Sequence, residues 1–191
     1  MEQQTPAQEF AEVGDRFTAV ADGVADWDAP SPVAEWRARD VVRHLVEWFP
    51  SFLSAGAGVD LPTGPSVDAD PAGAWRHLAD AVAGLLADPA TADRVLSNPH
   101  IGEVPLPEAV SRFFTADVFM HTWDLARATG QDDTLDPERA AALLAGMEPM
   151  DEVLRASGQY GARVAVSADA PVQDRLVGFI GRDPGWAPPS A

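Results

Sequence analysis

The sequence predicts an all-α protein in which four principal helices form a bundle, with short helical and extended additions at the C-terminal end. Two observations lead to this fold class. Apolar residues recur every three or four positions in four separate segments, as they do along an amphipathic helix. Several of these segments begin with a capping side chain followed by proline, a common helix start. With 191 residues, of which 46% are apolar, the chain is expected to form one domain, residues 1–191.

The first predicted helix spans residues 6–24, with Thr5 able to cap its N-terminus and Pro6 at its first position. The connection that follows, residues 25–36, contains two prolines and two tryptophans, which favours an extended segment whose indoles pack on the bundle. The apolar stripe of the helix consists of Phe10, Val13, Phe17, Val20 and Val24.

The second predicted helix begins near Arg37 and continues to about residue 54, with His44 beside its apolar stripe. Pro50 lies inside this segment and lacks a backbone N–H, so we expect it either to kink the helix or to end its first half. The glycines and prolines of residues 56–71 then indicate a long acidic connection.

The third predicted helix spans residues 71–87 and is capped by Asp70. Residues 90–107 are compatible with either a short hairpin or an irregular crossover, and the sequence does not decide between them. The fourth helix starts at Pro107 and runs until Gly130, a glycine that suits the position just after a helix end.

The C-terminal additions begin with a fifth helix, which starts at Asp136 and continues to about residue 154, with Pro149 interrupting it. A short alternating segment, residues 162–167, is predicted to be extended. Residues 171–181 place apolar side chains on one helical face, which predicts a short final helix.

The composition excludes several classes of function. A formal net charge of −17 without any basic cluster argues against nucleic-acid partners and against binding to an anionic membrane surface. The absence of cysteine rules out disulfides and thiolate ligands, so any metal must be held by nitrogen and oxygen. The N-terminal residues resemble no secretion signal, and no apolar run is long enough to span a bilayer, so we expect a cytoplasmic location.

The fourth predicted helix carries a candidate metal-binding pair. Asp117 and His121 are four residues apart, so a helix places the carboxylate and the imidazole on one face. Asp124 follows three residues after His121 and shares roughly the same face. By spacing alone, either carboxylate could be the ligand.

A metal site with an open coordination position needs a third protein ligand. His44 is the best candidate, because it lies within an apolar helix that a bundle can bring opposite His121. We expect His77, on a solvated helix face, and His100, in a loop, not to be ligands. The alternative is that His44 and His121 are hydrogen-bonded core residues with no metal.

Two motifs resemble a known family. The first is Trp36 followed by residues 39–45, RDVVRHL, and the second is residues 117–130, DVFMHTWDLARATG. Together they resemble the DinB-like metal-binding superfamily and, within it, the mycothiol-dependent maleylpyruvate isomerase N-terminal-domain group. The tail, residues 174–186, is similar to the ending of a branch of that group with no assigned reaction.

The resemblance implies a DinB-like four-helix bundle that binds a divalent metal through a histidine on the second helix and a pair four residues apart on a later one. Residue by residue, it places His44, Asp117 and His121 at the ligand positions. Asp117 stands where the isomerases use glutamate, and Asp124 is implied to orient an imidazole or to cap a neighbouring element. Zinc is the default metal, with nickel, iron and manganese as alternatives.

The resemblance also implies a function. A relative of these isomerases is expected to be a transferase or isomerase that depends on a metal and on a low-molecular-weight thiol, mycothiol. A small-molecule thiol or substrate is then the expected partner, and the assembly considered is a homodimer. The alternative is a non-catalytic module that binds a metal or a small ligand without turnover.

Overall fold

The computed structural model describes residues 4–156 and 158–188; residues 1–3, 157 and 189–191 of the expected domain lie outside them. Most of the described chain is helical, and the remainder consists of loops and one small hairpin. The helices are α1 Pro6–Asp22, α2 Ala38–Ala57, α3 Pro71–Ala87, α4 Leu106–Ala109, α5 Ala116–Ala128, α6 Pro137–Met147, α7 Asp151–Ala156 and α8 Val172–Phe179, and the strands are β1 Val95–Asn98 and β2 Gly102–Pro105.

The four long helices form the predicted bundle. Helix α1 packs against α3 and α5, and α2 packs against the same two helices, so the four surround a common core. Helices α4 and α5 belong to one continuous helix, because a π-helical segment, Val110–Thr115, joins them without a break. The all-α fold class is therefore confirmed. None of the described helices combines the length and the apolar character needed to cross a lipid bilayer.

Local start signals position the helices as the sequence predicts. The Thr5 side chain accepts a hydrogen bond from the Gln8 N–H, and the Gln8 side-chain oxygen accepts one from the Thr5 N–H. Asp70 caps α3 by accepting the Gly73 N–H and Asp136 caps α6 by accepting the Arg139 N–H, and each is followed by proline. Gly130 has a φ of 68°, the left-handed conformation that follows a helix end.

The structure decides two points that the sequence left open, the effect of Pro50 on α2 and the conformation of residues 90–107. Helix α2 does not end at Pro50 but continues to Ala57. Phe49 and Leu53, on either side of the proline, are fully buried, and their packing outweighs the lost backbone hydrogen bond. Residues 90–107 contain the hairpin alternative, in which β1 pairs antiparallel with β2 and buries the cross-strand pair Leu96 and Val104.

The C-terminal additions pack together on the outside of the bundle. Helix α6 contacts α8, and the predicted extended segment lies beside α8, where the Val164 N–H donates to the Gly178 carbonyl oxygen at 2.9 Å. A Cβ at Gly178 would lie 2.9 Å from the Val164 carbonyl oxygen, so this close approach requires glycine. An ion pair between Arg139 and Glu9 joins α6 to α1.

One aromatic ring of the π-helical segment contacts three other helices. The Phe114 ring stacks on Phe49 of α2 at 3.9 Å between centroids and an interplanar angle of 9°. Its centroid is 5.8 Å from that of Phe10 on α1 and 6.4 Å from that of Trp75 on α3. Since Phe114 is fully buried, it is the point where the four helices meet.

We therefore expect Phe114→Ala to lower the free energy of unfolding by about 3–5 kcal/mol, as truncation of a buried phenylalanine does. Urea denaturation followed by circular dichroism measures this change. The control is Phe113→Ala, because the neighbouring ring is only partly buried and packs edge-on against Phe52. Equal losses in the two variants would contradict the central role of Phe114.

Candidate metal centre

Packing of α2 against α5 brings three side chains of the sequence motifs together. The Nε2 atom of His44 lies 3.0 Å from Oδ2 of Asp117, and Nε2 of His121 lies 3.5 Å from Oδ1 of the same carboxylate. Each residue offers one ligand atom, and these atoms lie within 4.8 Å of one another. The structure thus places the three predicted ligands in one cluster.

The donor set of this cluster suits a divalent cation. Two imidazole nitrogens and one carboxylate oxygen are ligands that zinc and several other first-row metals accept. Zinc bonds of about 2.0–2.2 Å place tetrahedral ligands roughly 3.4 Å apart. The donor atoms of the cluster lie up to 4.8 Å apart, so binding requires the side chains to close in by up to about 1.4 Å. The residues therefore fit a metal with a small adjustment.

One side of the cluster is open to solvent. The His44 side chain keeps 32% of its exposure and Asp117 keeps 19%, whereas His121 keeps 5%. A small molecule can approach from the side of His44 and Asp117, and His121 forms the floor. Three protein ligands also leave at least one coordination position for water or substrate.

The Asp117 carboxylate is held in place by α2. Its Oδ2 atom accepts a hydrogen bond from the indole N–H of Trp48 at 2.9 Å and lies beside the His44 ring. Burial by itself raises the pKa of Asp117, but the charge of His121 and the hydrogen bonds from His44 and Trp48 outweigh burial and hold that pKa below its usual value. Asp117 is therefore an anion at neutral pH, as a ligand must be.

Asp124 lies on the other side of the His121 ring. Its Oδ2 atom is 2.8 Å from Nδ1 of His121, and its side chain has no exposure. Burial raises the pKa of Asp124, but the charge of Arg182 and the hydrogen bond from His121 lower it below its usual value. Because an ionised carboxylate can only accept a hydrogen bond, Nδ1 of His121 is the donor to Asp124, and Nε2 of the same ring faces Asp117.

Tryptophans enclose the two histidines. The Trp36 ring lies 5.9 Å from the His121 ring at an interplanar angle of 22°, and 5.3 Å from the His44 ring. The loop before α2 holds Trp36 in place, because its carbonyl oxygen accepts the Ser31 N–H and Pro30 forms a bridge with Arg37. Glu35, directly before it, has a φ of 67°, a strained conformation for this residue type.

The remaining histidines lie away from the cluster, as expected. The His77 ring contacts the Pro62 carbonyl oxygen at 3.1 Å, and His100 lies in the turn between β1 and β2. The two arginines next to the ligands in sequence are engaged elsewhere. Arg43 pairs with Asp40 and Asp68, and Arg127 pairs with Asp133.

Sequence reasoning missed two residues near the site. Arg182 lies in the tail motif, yet nothing in that motif indicated its contact with Asp124. Tyr160 is the single tyrosine of the chain, and the charges of Asp117 and Arg182 both affect its pKa. No local signal marks either residue, because the positions of both depend on the path of the chain after α6.

A family model described as "Mycothiol maleylpyruvate isomerase N-terminal domain" matches residues 8–126, which include His44, Asp117 and His121. The chain belongs to that family. The resemblance inferred from the motifs is thereby confirmed, and the DinB-like superfamily is consistent with it.

Two curated relatives come from Mycobacterium tuberculosis and are both described as uncharacterized proteins. They are MT0763 of strain CDC 1551 / Oshkosh and Rv0738 of strain ATCC 25618 / H37Rv. Each is 32% identical to this chain over 156 residues, which cover 80% of this chain and 83% of the relative. No solved structure matches the chain.

Burial, and then the negative charge of Asp117, raise the pKa of Tyr160 to about 12. We expect the ultraviolet absorbance of tyrosinate to appear with a midpoint near that value, and to appear at lower pH in Asp117→Asn. The unfolded chain releases the same proton near pH 10, so the stabilising contribution of neutral Tyr160 is present below about pH 10 and is lost as the pH rises towards 12.

Denaturant titrations at several alkaline pH values measure this loss of stability. The fall in the free energy of unfolding above pH ~10 should be smaller in Tyr160→Phe than in the wild type. A wild-type absorbance midpoint close to 10, the ordinary value for tyrosine, would contradict the expected environment of Tyr160.

Proposed function

We propose that this protein binds one divalent metal ion, zinc by default, through His44, Asp117 and His121, and that it is a transferase or isomerase dependent on a small thiol such as mycothiol. The observation that carries this proposal is the convergence of the three donor atoms within 4.8 Å. The family match supports the thiol, because the family is described by a mycothiol enzyme.

The surroundings of the two carboxylates favour Asp117 as the ligand. Asp117 faces both histidine Nε2 atoms and keeps partial exposure, so a metal and a substrate can reach it. Asp124 has no exposure and already contacts His121 Nδ1 and Arg182. We therefore assign to Asp124 the orientation of the His121 ring, a role that carboxylates often have beside metal-bound histidines.

A divalent ion with an open position can stabilise a thiolate near neutral pH, which makes a bound thiol a better nucleophile. The residues of this chain would direct how such a thiol approaches. Trp48 restricts rotation of the Asp117 carboxylate through its indole N–H. Trp36 packs beside both imidazoles, so a molecule bound next to them would meet its indole ring.

The proposal assigns no substrate role to the arginines beside the ligands in sequence. Arg43 and Arg127 each form ion pairs with carboxylates of the chain, so neither guanidinium is free for an incoming anion. A cytoplasmic location, a homodimer and a single domain over residues 1–191 are further parts of the proposal, and each stays a prediction.

Metal content tests the assignment of the ligands. We expect about one metal ion per chain in untagged wild-type protein. His44→Ala should lose more metal affinity than the roughly 10–100-fold that is typical when a residue hydrogen-bonded to a ligand is replaced. Elemental analysis and competition with a chelator measure both quantities. The matched control is His77→Ala, which removes an imidazole that hydrogen-bonds to the Pro62 carbonyl oxygen outside the cluster and should keep wild-type metal content.

Stoichiometric metal in His44→Ala, with wild-type affinity, would show that His44 is not a ligand. No metal in the wild-type protein after incubation with zinc, nickel, iron and manganese would contradict the metal site as a whole. In that case His44 and His121 would be hydrogen-bonded residues beside the core, as the structural alternative holds.

Calorimetry tests the use of a thiol. Mycothiol should bind the metal-loaded protein with release of about one proton, because a thiol that becomes a thiolate gives its proton to the buffer. The measured heat should then vary with the ionisation enthalpy of the buffer. A mycothiol analogue without the sulfur is the control and should show no such proton release.

Absence of heat with every thiol would contradict thiol dependence while leaving the metal site intact. Binding without thiol-dependent turnover, assayed with an electrophilic acceptor, would instead favour the non-catalytic binding module. The metal measurements therefore test the metal site, and the thiol measurements test the use of a thiol, independently of each other.

A further inference from the structure

The segment after α8 returns to the metal centre. Gly181 adopts a φ of 89°, and the Arg182 N–H then donates to the Val177 carbonyl oxygen at 3.0 Å, which ends the helix and turns the chain inward. The Arg182 guanidinium reaches Asp124, with Nε 3.3 Å from Oδ1 and Nη2 3.1 Å from Oδ2. Both carboxylate oxygens are thus engaged by one side chain.

The contact continues from Asp124 to a proposed metal ligand. Oδ2 of Asp124, one of the oxygens bound by Arg182, also lies 2.8 Å from Nδ1 of His121. The side chains of Arg182, Asp124 and His121 are 13%, 0% and 5% exposed. Water therefore has little access to replace a lost partner, and the three groups depend on one another for their positions.

Arg182 is itself fixed by the backbone of the same turn. Its Nη1 donates to the Ile180 carbonyl oxygen at 3.0 Å, so the guanidinium plane is held at both of its ends. Residue 182 lies outside the family match of residues 8–126. The contact is consequently a feature of this chain beyond the part that defines its family.

We propose that Arg182 is a positioning residue of the metal centre, which holds Asp124 so that His121 presents Nε2 to the metal. This inference rests on the proposed metal function. A free carboxylate can rotate and can offer either oxygen to the imidazole. A carboxylate that accepts hydrogen bonds from one guanidinium at both oxygens keeps a single orientation. The hydrogen bonds between Arg182 and Asp124 therefore set the orientation of the His121 ring, and with it the direction in which Nε2 points.

Arginine suits this role better than lysine. The planar guanidinium presents two parallel N–H groups to a carboxylate, whereas an ammonium group acts as a single point of charge. Arg182→Lys would keep the positive charge beside Asp124 but lose the two-point contact. It therefore separates charge neutralisation from orientation.

A second arginine provides the matched control. Nη2 of Arg127 donates to the Pro184 carbonyl oxygen at 2.8 Å, so this residue anchors the same returning segment to α5. Arg127 is three residues after Asp124 on that helix but does not hydrogen-bond to it. Arg127→Gln thus loosens the segment without removing the contact between Arg182 and Asp124.

The experiment compares Arg182→Gln, Arg182→Lys and Arg127→Gln with the wild type. Zinc affinity is measured by chelator competition, and the tautomer of the His121 ring is read in metal-free protein from long-range nitrogen–proton NMR spectra. We expect Arg182→Gln to bind zinc about 10–100-fold more weakly and to lose the pure Nδ1–H pattern of His121. Arg182→Lys should recover part of the affinity, and Arg127→Gln should stay within about twofold of the wild type.

Three results would overturn the inference: zinc affinity of Arg182→Gln within about twofold of the wild type, an equal loss in Arg127→Gln, or an unchanged His121 tautomer. Thermal unfolding checks that each variant is folded. If Arg182→Gln does not fold, Arg182→Lys is compared with the wild type in its place. A wild-type protein that binds no metal would contradict the proposed function, and the tautomer measurement would still decide the role of Arg182.

Discussion

Two carboxylates on the inward side of one helix set the main constraint on this structure. Asp117 lies in the first turn of α5 and Asp124 lies about two turns further along, and burial disfavours the charged forms of both. Each is compensated by a different part of the chain. Helix α2 supplies His44 and Trp48 to the first, and the segment after α8 supplies Arg182 to the second. The bundle and the C-terminal additions are thus joined through the charges of the candidate site.

The site also illustrates how a bundle can keep a polar cluster at the edge of an apolar core. Below the cluster, Phe49 and Phe114 stack in full burial, so the helices that carry the ligands are held together by aromatic packing. Above it, Trp36 covers both imidazoles with an apolar face. The polar groups therefore need only satisfy one another and the open side, which limits the free energy lost to burial.

Much of the helical architecture could be predicted because its signals are local. Thr5, Asp70 and Asp136 each cap a helix a few residues away, and apolar spacing identifies the buried faces. The choice of Asp117 over Asp124 as the carboxylate ligand required the family resemblance, since spacing alone allowed either. The hairpin of β1 and β2 was undecided because each short strand buries only one side chain. The contact between Arg182 and Asp124 could not be predicted, because it depends on how the chain folds back across a sequence separation of 58 residues.

The π-helical segment has a consequence for how this chain could change during evolution. It places one extra residue in a turn just before Asp117. All residues after the segment are therefore rotated around the helix axis relative to their positions in a regular α-helix. Deleting one residue there would turn Asp117 and His121 by about 100° around the helix axis, away from His44. Substitutions within Val110–Thr115 keep the number of residues and so leave the direction of both side chains unchanged. Lineages that retain this site should therefore vary at the less buried positions of the segment, such as Ser111 and Arg112, more readily than in its length.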